Sequence, residues 1–453
     1  MSTIAAVLLL ALGVVAAIGT VNALRPARHW TIVLLSWISA WITVELAPHL
    51  ILLSGLAAAA LVALGGLDHA VGIAGLALLA LADLIGIVFT WRAYRSVTNA
   101  RDAIAELDPD PEVPRFPRSH IAFPFLMWRR RGVRHERGVV YAKHGSRPLK
   151  LDVYLPDGRG QTPSGTGLRP VPLGRGQTPS GTGLRPVPLG SDPSGTGRPA
   201  IVHVHGGGWV SGTRKEQGIP LLNHLAANGI VGFNINYRLS PYATWPDQAV
   251  DVKRAIVWVR QHAEEYGVDP DFIAITGGSA GGHITAFVAL TSDDRSLQPG
   301  FEDADASVAA AIPCYGVYDM LDDDSIQLPI TQWVLERHVF KAFRDDEPEA
   351  FRAASPIHRV HAGAPPFLVV HGNADSLTPV EDARRFVERL REATDSPVLY
   401  AEMRGGQHAF DLVPSLRTAP VIEAIERFLH TIRARGDEID DGAEREYEAA
   451  LAE

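Results

Sequence analysis

Cysteine is nearly absent from this chain, and the first ninety residues almost lack charge. Cys314 is the one cysteine among 453 residues, so an internal disulfide is excluded. We expect Cys314 to be a buried thiol of the core. The formal net charge is −9. The sequence shows no basic face, so binding to nucleic acid is not predicted. Most of that charge lies in residues 436–453, an acidic tail that we expect to be a frayed helix or disordered.

Long apolar runs fill the N-terminal region, residues 1–95. Residues 1–91 contain five charged side chains, namely Arg25, Arg28, Glu45, Asp68 and Asp83. Apolar runs at 3–24, 30–46, 50–67 and 71–91 predict a bundle of three or four transmembrane helices. A cleaved signal peptide and a soluble helical cap are the alternatives, but the first run lacks a basic start. Glu45 and Asp83 would be costly facing lipid, so we expect them to face other helices or an interface.

A basic stretch, residues 96–138, is predicted to link the membrane region to the next domain. Ten arginines lie between residues 92 and 137, and an apolar, aromatic segment at 121–128 precedes three of them. This segment either lies among lipid headgroups or packs on the next domain as part of a solvated linker. The arginines favour a cytoplasmic location for that domain. Arg25 and Arg28 oppose this if three spans separate them from the arginine-rich stretch.

A repeat follows the basic stretch, at residues 158–198. A sixteen-residue unit at 158–173 recurs at 174–189, and a truncated copy follows. The unit is rich in Gly, Pro, Ser and Thr, which predicts a disordered surface insert without a catalytic role. A binding role for its Arg-Pro units is the alternative.

Strand and helix patterns alternate over residues 139–435. Strands are predicted near 200–204, 230–235, 272–276, 308–313, 366–370 and 398–403, after an opening hairpin at 139–154. With helices between them, this predicts an α/β fold with a mainly parallel sheet of eight strands and helices on both faces. Residues 318–352 interrupt the alternation. We expect them to shape a substrate pocket, with Trp333 lining it.

A serine stands between glycines at the end of one predicted strand. Residues 277–281 read Gly-Gly-Ser-Ala-Gly, after the apolar run 272–276 and before a helical pattern. A sharp strand-to-helix turn of this kind is a nucleophile elbow, and small neighbours leave room for its strained backbone. Ser279 is therefore the candidate nucleophile.

A glycine-rich loop follows another predicted strand, with the sequence His-Gly-Gly-Gly-Trp at residues 205–209. Glycines allow backbone N–H groups to approach a substrate oxygen closely. We predict that the N–H groups of Gly207, Gly208 and Ala280 form an oxyanion hole. Trp209 either lines the pocket or packs in the core, and His205 is expected to tether the loop.

Asp375 and His408 complete the candidate site. His408 can take the proton of Ser279, and Asp375 can accept the other ring N–H and hold the imidazole in place. Asp382, which we expect to face solvent, and Asp411 are the alternatives to Asp375. No thiol or acidic partner completes a zinc site near His203 and His205, so no metal is predicted.

These motifs together resemble those of a known family. They are similar to the motifs of hormone-sensitive-lipase-like esterases and of feruloyl-esterase-like and kynurenine-formamidase-like hydrolases. The shared motifs lie at residues 205–209, 237–241, 277–282, 371–375 and 405–408. The resemblance covers residues 139–435, and it implies that residues 318–352 are cap elements. It implies an α/β-hydrolase that cleaves esters or activated amides through an acyl-enzyme, without a cofactor. Gly278 departs from the lipase-like members, which often carry Asp there.

For the whole chain, the resemblance and the apolar N-terminus suggest a membrane-anchored esterase. Its partners would be a small or lipid-like ester and membrane lipids. An arylformamidase or amidase is the alternative within the same fold. A non-catalytic interaction protein is the alternative from another class, and the intact Ser279, Asp375 and His408 argue against it.

Overall fold

The computed structural model describes residues 1–105, 107, 113–157 and 197–452, with side chains of the last helix up to Gly436. The repeat insert predicted at 158–198 lies outside the described residues, apart from Gly197 and Arg198. The side chains of residues 437–453, in the acidic tail, also lie outside them.

Four helices form the N-terminal region. They are α1 (Ser2–Leu24), α2 (Val33–Glu45), α3 (Ala47–Ala63) and α4 (Ala70–Ala105). By length and composition α1 and α4 could each cross a membrane, and the pair α2 and α3 could form a third span with a bend of 83°. The structure thus offers two or three spans where the sequence predicted three or four, because α2 turns away from α3 instead of crossing alongside it.

Helices α1 and α4 run in the same direction. The Ser2 hydroxyl lies 3.5 Å from His69, just before α4 begins. At the other end, Ala23 of α1 packs with Phe89 of α4. The ends of α1 and of the apolar part of α4 therefore lie on the same side of the bundle.

Helix α3 runs in the opposite direction to α4. Ser54, in the second turn of α3, donates a hydrogen bond to Asp83 at 3.2 Å, while Ala58 packs against the earlier Leu79. Asp83 therefore faces another helix, as expected from the cost of exposing a carboxylate to lipid. Helices α1 and α4 therefore run antiparallel to α3, and α2 makes an angle of 83° with α3.

An eight-stranded sheet forms the second part of the chain. Its strands are β1 (Val133–His144), β2 (Arg147–Pro156), β3 (Arg198–Val204), β4 (Val231–Ile235), β5 (Val268–Gly278), β6 (Ala310–Cys314), β7 (Phe367–Gly372) and β8 (Val398–Met403). The order is β1-β2-β4-β3-β5-β6-β7-β8, and all strands from β4 to β8 along the sheet pair in parallel. The predicted mainly parallel sheet of eight strands is confirmed. β1 begins at Val133, before the predicted residue 139, because it pairs with β2 as far as Pro156.

Nine further helices surround or follow the sheet within the described residues. They are α5 (Arg118–Ala122), α6 (Ile219–Ala227), α7 (Asp247–Gln261), α8 (Ala263–Tyr266), α9 (Ala280–Ala289), α10 (Pro329–Val334), α11 (Pro348–Ala354), α12 (Val380–Ala393) and α13 (Thr418–Ala452). Helices α7, α9 and α12 pack on one face, and α6 and α13 pack on the other. A hydrophobic core lies on each face of the sheet, and the side chains of β5 alternate between the two cores. Ile273 and Ile275 are buried in one core, and Phe272 and Ala274 in the other. Cys314 is buried, as expected.

Helix α4 belongs to both parts of the molecule. Its C-terminal residues Ala100, Ala103 and Ile104 are buried in the same core as α6 and α13. The helix therefore continues through the predicted boundary at residue 95, because its last turns cover apolar surface of the sheet domain. The other predicted boundaries, at 138, 139 and 435, stay predictions.

Candidate active site

Ser279 occupies a sharp turn between β5 and α9. Its backbone has φ +58° and ψ −123°, in the left-handed half of the map that residues with a Cβ rarely adopt. The neighbouring glycines make the turn possible, since a Cβ on Gly281 would overlap the carbonyl oxygen of Val204. The turn leaves Ser279 only partly buried at the carboxyl edge of the sheet. This is the geometry of a nucleophile elbow.

The structure brings the three predicted residues into one hydrogen-bonded chain. Ser279 Oγ lies 2.9 Å from His408 Nε2, and His408 Nδ1 lies 2.8 Å from Asp375 Oδ2. His408 follows β8 and Asp375 follows β7, so neighbouring parallel strands deliver both side chains to the same edge as Ser279. An imidazole so placed can take a proton from the serine while the carboxylate stabilises the charge.

Asp375 is a buried but well-satisfied carboxylate. Its Oδ1 accepts the N–H groups of Leu377 and Thr378 at 2.8 Å each, and its Oδ2 also accepts the Thr378 hydroxyl at 2.9 Å. Burial alone would raise the pKa of Asp375, but the charges and hydrogen bonds of His408 and His371 hold that pKa well below its usual range. Asp375 is therefore ionised whenever His408 needs a counter-charge.

The two alternative carboxylates have other partners. Asp411 accepts a hydrogen bond from the Tyr315 hydroxyl. Asp382 is fully buried and accepts the Tyr318 N–H at 2.7 Å, so the expectation that it faces solvent was wrong. Burial, with the nearby charge of Asp319, raises the pKa of Asp382 to about 7. Among the three carboxylates considered, Asp375 is the one bonded to His408.

The glycine-rich loop after β3 packs directly against Ser279. A Cβ placed on Gly206 would lie 3.0 Å from the Cβ of Ser279. Gly207 and Gly208 have φ of +121° and +61°, which glycine adopts without strain. Within the described residues, the N–H groups of Gly207, Gly208 and Ala280 donate to no protein acceptor. That they form an oxyanion hole stays a prediction.

Aromatic residues hold the base of this loop. The Tyr237 hydroxyl donates to the His205 carbonyl at 2.9 Å, and the two rings stack with centroids 4.4 Å apart. Trp209 is buried, and its indole N–H donates to His283 Nδ1 at 3.2 Å, while His283 Nε2 lies 2.9 Å from the Ala354 carbonyl. The structure thus places Trp209 in the scaffold instead of on an open pocket wall.

Trp333 lies on α10, in the region predicted as a cap. Half of its surface is exposed (51%), and its ring makes an edge contact with His338 at 4.8 Å. In the described part of the chain it forms no hydrogen bond or ring contact with Ser279 or His408. Its role in substrate binding stays a prediction.

One cluster outside the triad has the composition of a metal site. Ligand atoms of Asp319, Asp323 and His358 lie within 4.8 Å of one another. Arginines already pair with both carboxylates, Arg385 with Asp319 at 3.7 Å and Arg352 with Asp323 at 3.6 Å. We interpret the cluster as an ion-pair network of the scaffold.

The sequence reasoning missed several residues that contact the triad. Thr378 bridges Asp375 and His408, and Tyr315 makes an edge contact with the His408 ring at 5.0 Å. Trp37 and Trp41 of α2 donate to the backbone around His408. Thr378, three residues after an Asp and before a Pro, carried a readable turn signal. The four-residue spacing of Trp37, Trp41 and Glu45 marks one stripe of an apolar helix and could have indicated an interface.

The activated serine should react with an electrophilic phosphorus reagent. We expect a fluorophosphonate probe to label the wild-type protein at Ser279, and Ser279→Ala and His408→Gln to abolish labelling, because the first lacks the nucleophile and the second the base. In-gel detection with peptide mapping measures this. Ser292→Ala, on a loop after α9, is the control and should label normally. Labelling of Ser279→Ala at another residue would contradict the assignment.

Buried His283 should make the fold sensitive to acid. Burial lowers the pKa of His283 to about 3, whereas an unfolded histidine titrates near 6.5. The unfolded chain therefore binds the extra proton between these values, so stability is full above pH 6.5 and falls by about 1.4 kcal/mol per pH unit below it. In His283→Gln the slope of the unfolding free energy between pH 4 and 6 should decrease by this amount. Urea unfolding in detergent measures it, with exposed His361→Gln as the control; an unchanged slope in His283→Gln would contradict the account.

Comparison with known proteins places these features in context. Residues 191–390 match the BD-FAE family model. The chain is 49% identical over 243 residues to the probable carboxylic ester hydrolase LipM of Mycobacterium tuberculosis, covering 54% of this chain and 56% of LipM. Esterase LipQ of the same organism is 45% identical over 237 residues, covering 52% of this chain and 56% of LipQ. The chain spans about half the length of the curated relatives it matches.

Solved structures share the fold of the sheet domain. Esterase 2 of Thermogutta terrifontis, bound to butyrate, is 28% identical with a TM-score of 0.50, covering 67% of this chain and 95% of that one. A truncated carbohydrate esterase from gut microbiota is 24% identical with a TM-score of 0.51, covering 66% of this chain and 96% of that one, and bears on fold alone. The described residues from Val133 onward therefore form a domain of the α/β-hydrolase fold, and the sequence is similar to those of esterases.

Proposed function

We propose that this protein is a membrane-anchored serine hydrolase that cleaves carboxylic esters. The observation that carries the proposal is the hydrogen-bonded chain from Ser279 through His408 to Asp375, with distances of 2.9 and 2.8 Å. The esterase names of LipM and LipQ support an ester as the substrate. The butyrate bound to the Thermogutta esterase supports a short acyl group.

The first half of the reaction forms an acyl-enzyme. Ser279 Oγ attacks the ester carbonyl carbon while His408 Nε2 takes its proton, and Asp375 stabilises the imidazolium. The carbonyl oxygen becomes an oxyanion, which the N–H groups of Gly207, Gly208 and Ala280 bind. The intermediate then expels the alkoxide, which leaves as the alcohol after taking the proton from His408.

The second half releases the acid. Water attacks the acyl carbon and gives its proton to His408, and the same N–H groups bind the second oxyanion. Collapse of this intermediate breaks the bond to Ser279 Oγ, which recovers its proton from the imidazolium. The carboxylic acid leaves, and no cofactor takes part in this sequence.

The helical bundle supports a location in the membrane, with the hydrolase domain on the cytoplasmic face. Because α1 and α4 run in the same direction, Arg25 and Arg28 after α1 lie on the same side as Arg92 and the arginines that follow it. The two arginine groups, which the sequence alone placed on opposite sides, now favour the same orientation. The exposed Phe123 and Phe125 lie on this side too, beside His49 at the start of α3, which contacts the Ile121 carbonyl at 3.0 Å.

Ester cleavage should depend on Ser279. The purified full-length protein should release p-nitrophenol from short acyl esters, and Ser279→Ala should lower kcat by about 10³-fold or more, since loss of a triad member leaves only the oxyanion hole and binding. A panel of acyl chain lengths, with matched anilides and formanilides, identifies the preferred substrate. Ser292→Ala is the matched control. Turnover of the amides alone would favour an amidase, and unchanged turnover in Ser279→Ala would remove the serine from the mechanism.

The orientation can be read with single cysteines, since the native Cys314 is buried. Arg389 lies on the exposed face of α12, and Leu67 lies in the loop between α3 and α4, at the opposite end of the bundle. Each is changed to cysteine in a separate variant, Arg389→Cys or Leu67→Cys. We expect a membrane-impermeant maleimide to label Leu67→Cys in intact cells and Arg389→Cys only after permeabilisation. The reverse pattern would overturn the orientation. Extraction of the wild-type protein by carbonate washing would overturn the anchoring.

A further inference from the structure

Helix α2 lies against the loop that carries the catalytic histidine. The Trp37 indole N–H donates to the carbonyl of His408 itself at 3.0 Å, and the Trp41 indole N–H donates to the carbonyl of Ala409 at 2.9 Å. The Trp37 ring also meets the His408 imidazole edge-on, with centroids 6.0 Å apart. Two consecutive peptide carbonyls of the histidine loop are thus held by one helix of the membrane region, about 370 residues away in sequence.

The loop needs such support because its backbone is strained. Ala409 has φ +58°, a left-handed conformation that a residue with a Cβ keeps only where surrounding contacts enforce it. Further along the loop, Asp411 binds the Tyr315 hydroxyl, and the Thr418 hydroxyl donates to the Phe410 carbonyl at 3.1 Å. Those contacts hold the far end of the loop, whereas Trp37 and Trp41 hold the end at His408.

A buried ion pair locks α2 in this position. Glu45, the last residue of α2, pairs with Arg417 at the end of the histidine loop, and both side chains are fully buried. Ser415 also donates to Glu45 at 3.3 Å, and Arg417 donates to the Arg404 carbonyl at 3.3 Å. Loss of either side chain would leave the other charge buried and unpaired, so each of the two residues depends on its partner across the contact between α2 and the loop. This explains the carboxylate that the sequence places in an apolar helix.

Apolar residues of α2 also face the rest of the helical bundle. Leu35, Ile38 and Ile42, with exposed fractions of 71, 44 and 37%, line a cavity together with residues of α1, α3 and α4. Helix α2, which makes an angle of 83° with α3, therefore contacts the bundle with these residues and the histidine loop with its tryptophans.

We propose that α2 is a positioning element of the active site, and that Trp37 and Trp41 hold the His408 imidazole within reach of both Ser279 and Asp375. The inference rests on the proposed serine mechanism. The membrane region is then more than an anchor, because the geometry of the catalytic base depends on it. Trp37 and Trp41 touch no reacting atom, and they act through the backbone of His408 and Ala409.

The test compares phenylalanine variants of the full-length protein in detergent. Trp37→Phe/Trp41→Phe keeps two aromatic rings but removes both N–H donors. Trp91→Phe, an exposed tryptophan of α4, is the matched control. The primary measurement is the second-order rate constant of fluorophosphonate labelling at Ser279, with the fraction finally labelled recorded separately. This measurement needs no substrate, so it tests the inference even if the protein proves not to cleave esters.

We expect the double variant to label about tenfold more slowly than wild type, since two hydrogen bonds that orient the base are lost, and to reach the same final fraction. On a p-nitrophenyl ester kcat should fall in parallel, with KM within about twofold. Trp91→Phe should match wild type. A wild-type rate constant in the double variant would overturn the proposal, as would a lower final fraction at an unchanged rate constant, which indicates loss of folded protein only. If the double variant does not fold, Trp37→Phe alone is tested by the same two measurements.

Discussion

The proposed chemistry depends on the position of one imidazole, that of His408. His408 lies on a loop, not on a strand or helix, yet both of its ring nitrogens must meet partners from other elements at 2.9 and 2.8 Å. Neighbouring parallel strands bring the three backbones to one edge of the sheet, but the loop after β8 has no strand to hold it. Its position depends on contacts with other elements. The Thr378 hydroxyl lies beside His408 Nδ1, the Tyr315 ring contacts the imidazole edge-on, and Trp37 of α2 donates to the His408 carbonyl.

The N-terminal region is continuous with the hydrolase domain in two places. Helix α4 extends from the bundle into the second core of the sheet, and α2 joins the histidine loop through the Glu45–Arg417 pair. Docking through buried polar contacts restricts the relative position of the two parts more than apolar packing would, since an unpaired buried charge is costly. Helix α2 therefore contacts both the rest of the bundle and the loop that carries His408.

The motifs that could be identified from sequence share a local physical cause. The elbow at Ser279 and the loop at 207–208 require glycine because the backbone there is left-handed or closely packed. Such a requirement is visible as a short motif of consecutive residues. Strand positions followed from apolar runs for the same reason. The burial of Asp382 and the turn of α2 carried no comparable local pattern. The spacing of Trp37 and Trp41 marked a stripe on α2, but it did not identify the partner, because that partner lies far away along the chain.

The sequence by itself determined the alternation of strands and helices, the order of the nucleophile, carboxylate and imidazole, and the apolar character of the first ninety residues. Each of these follows from periodicity or from the conformational needs of single residues. Tertiary structure alone decided which carboxylate meets His408, how α1 and α4 are oriented, and that Glu45 pairs with Arg417. Those outcomes depend on distances between elements separated by up to 372 residues, which only the packed sheet and bundle bring together.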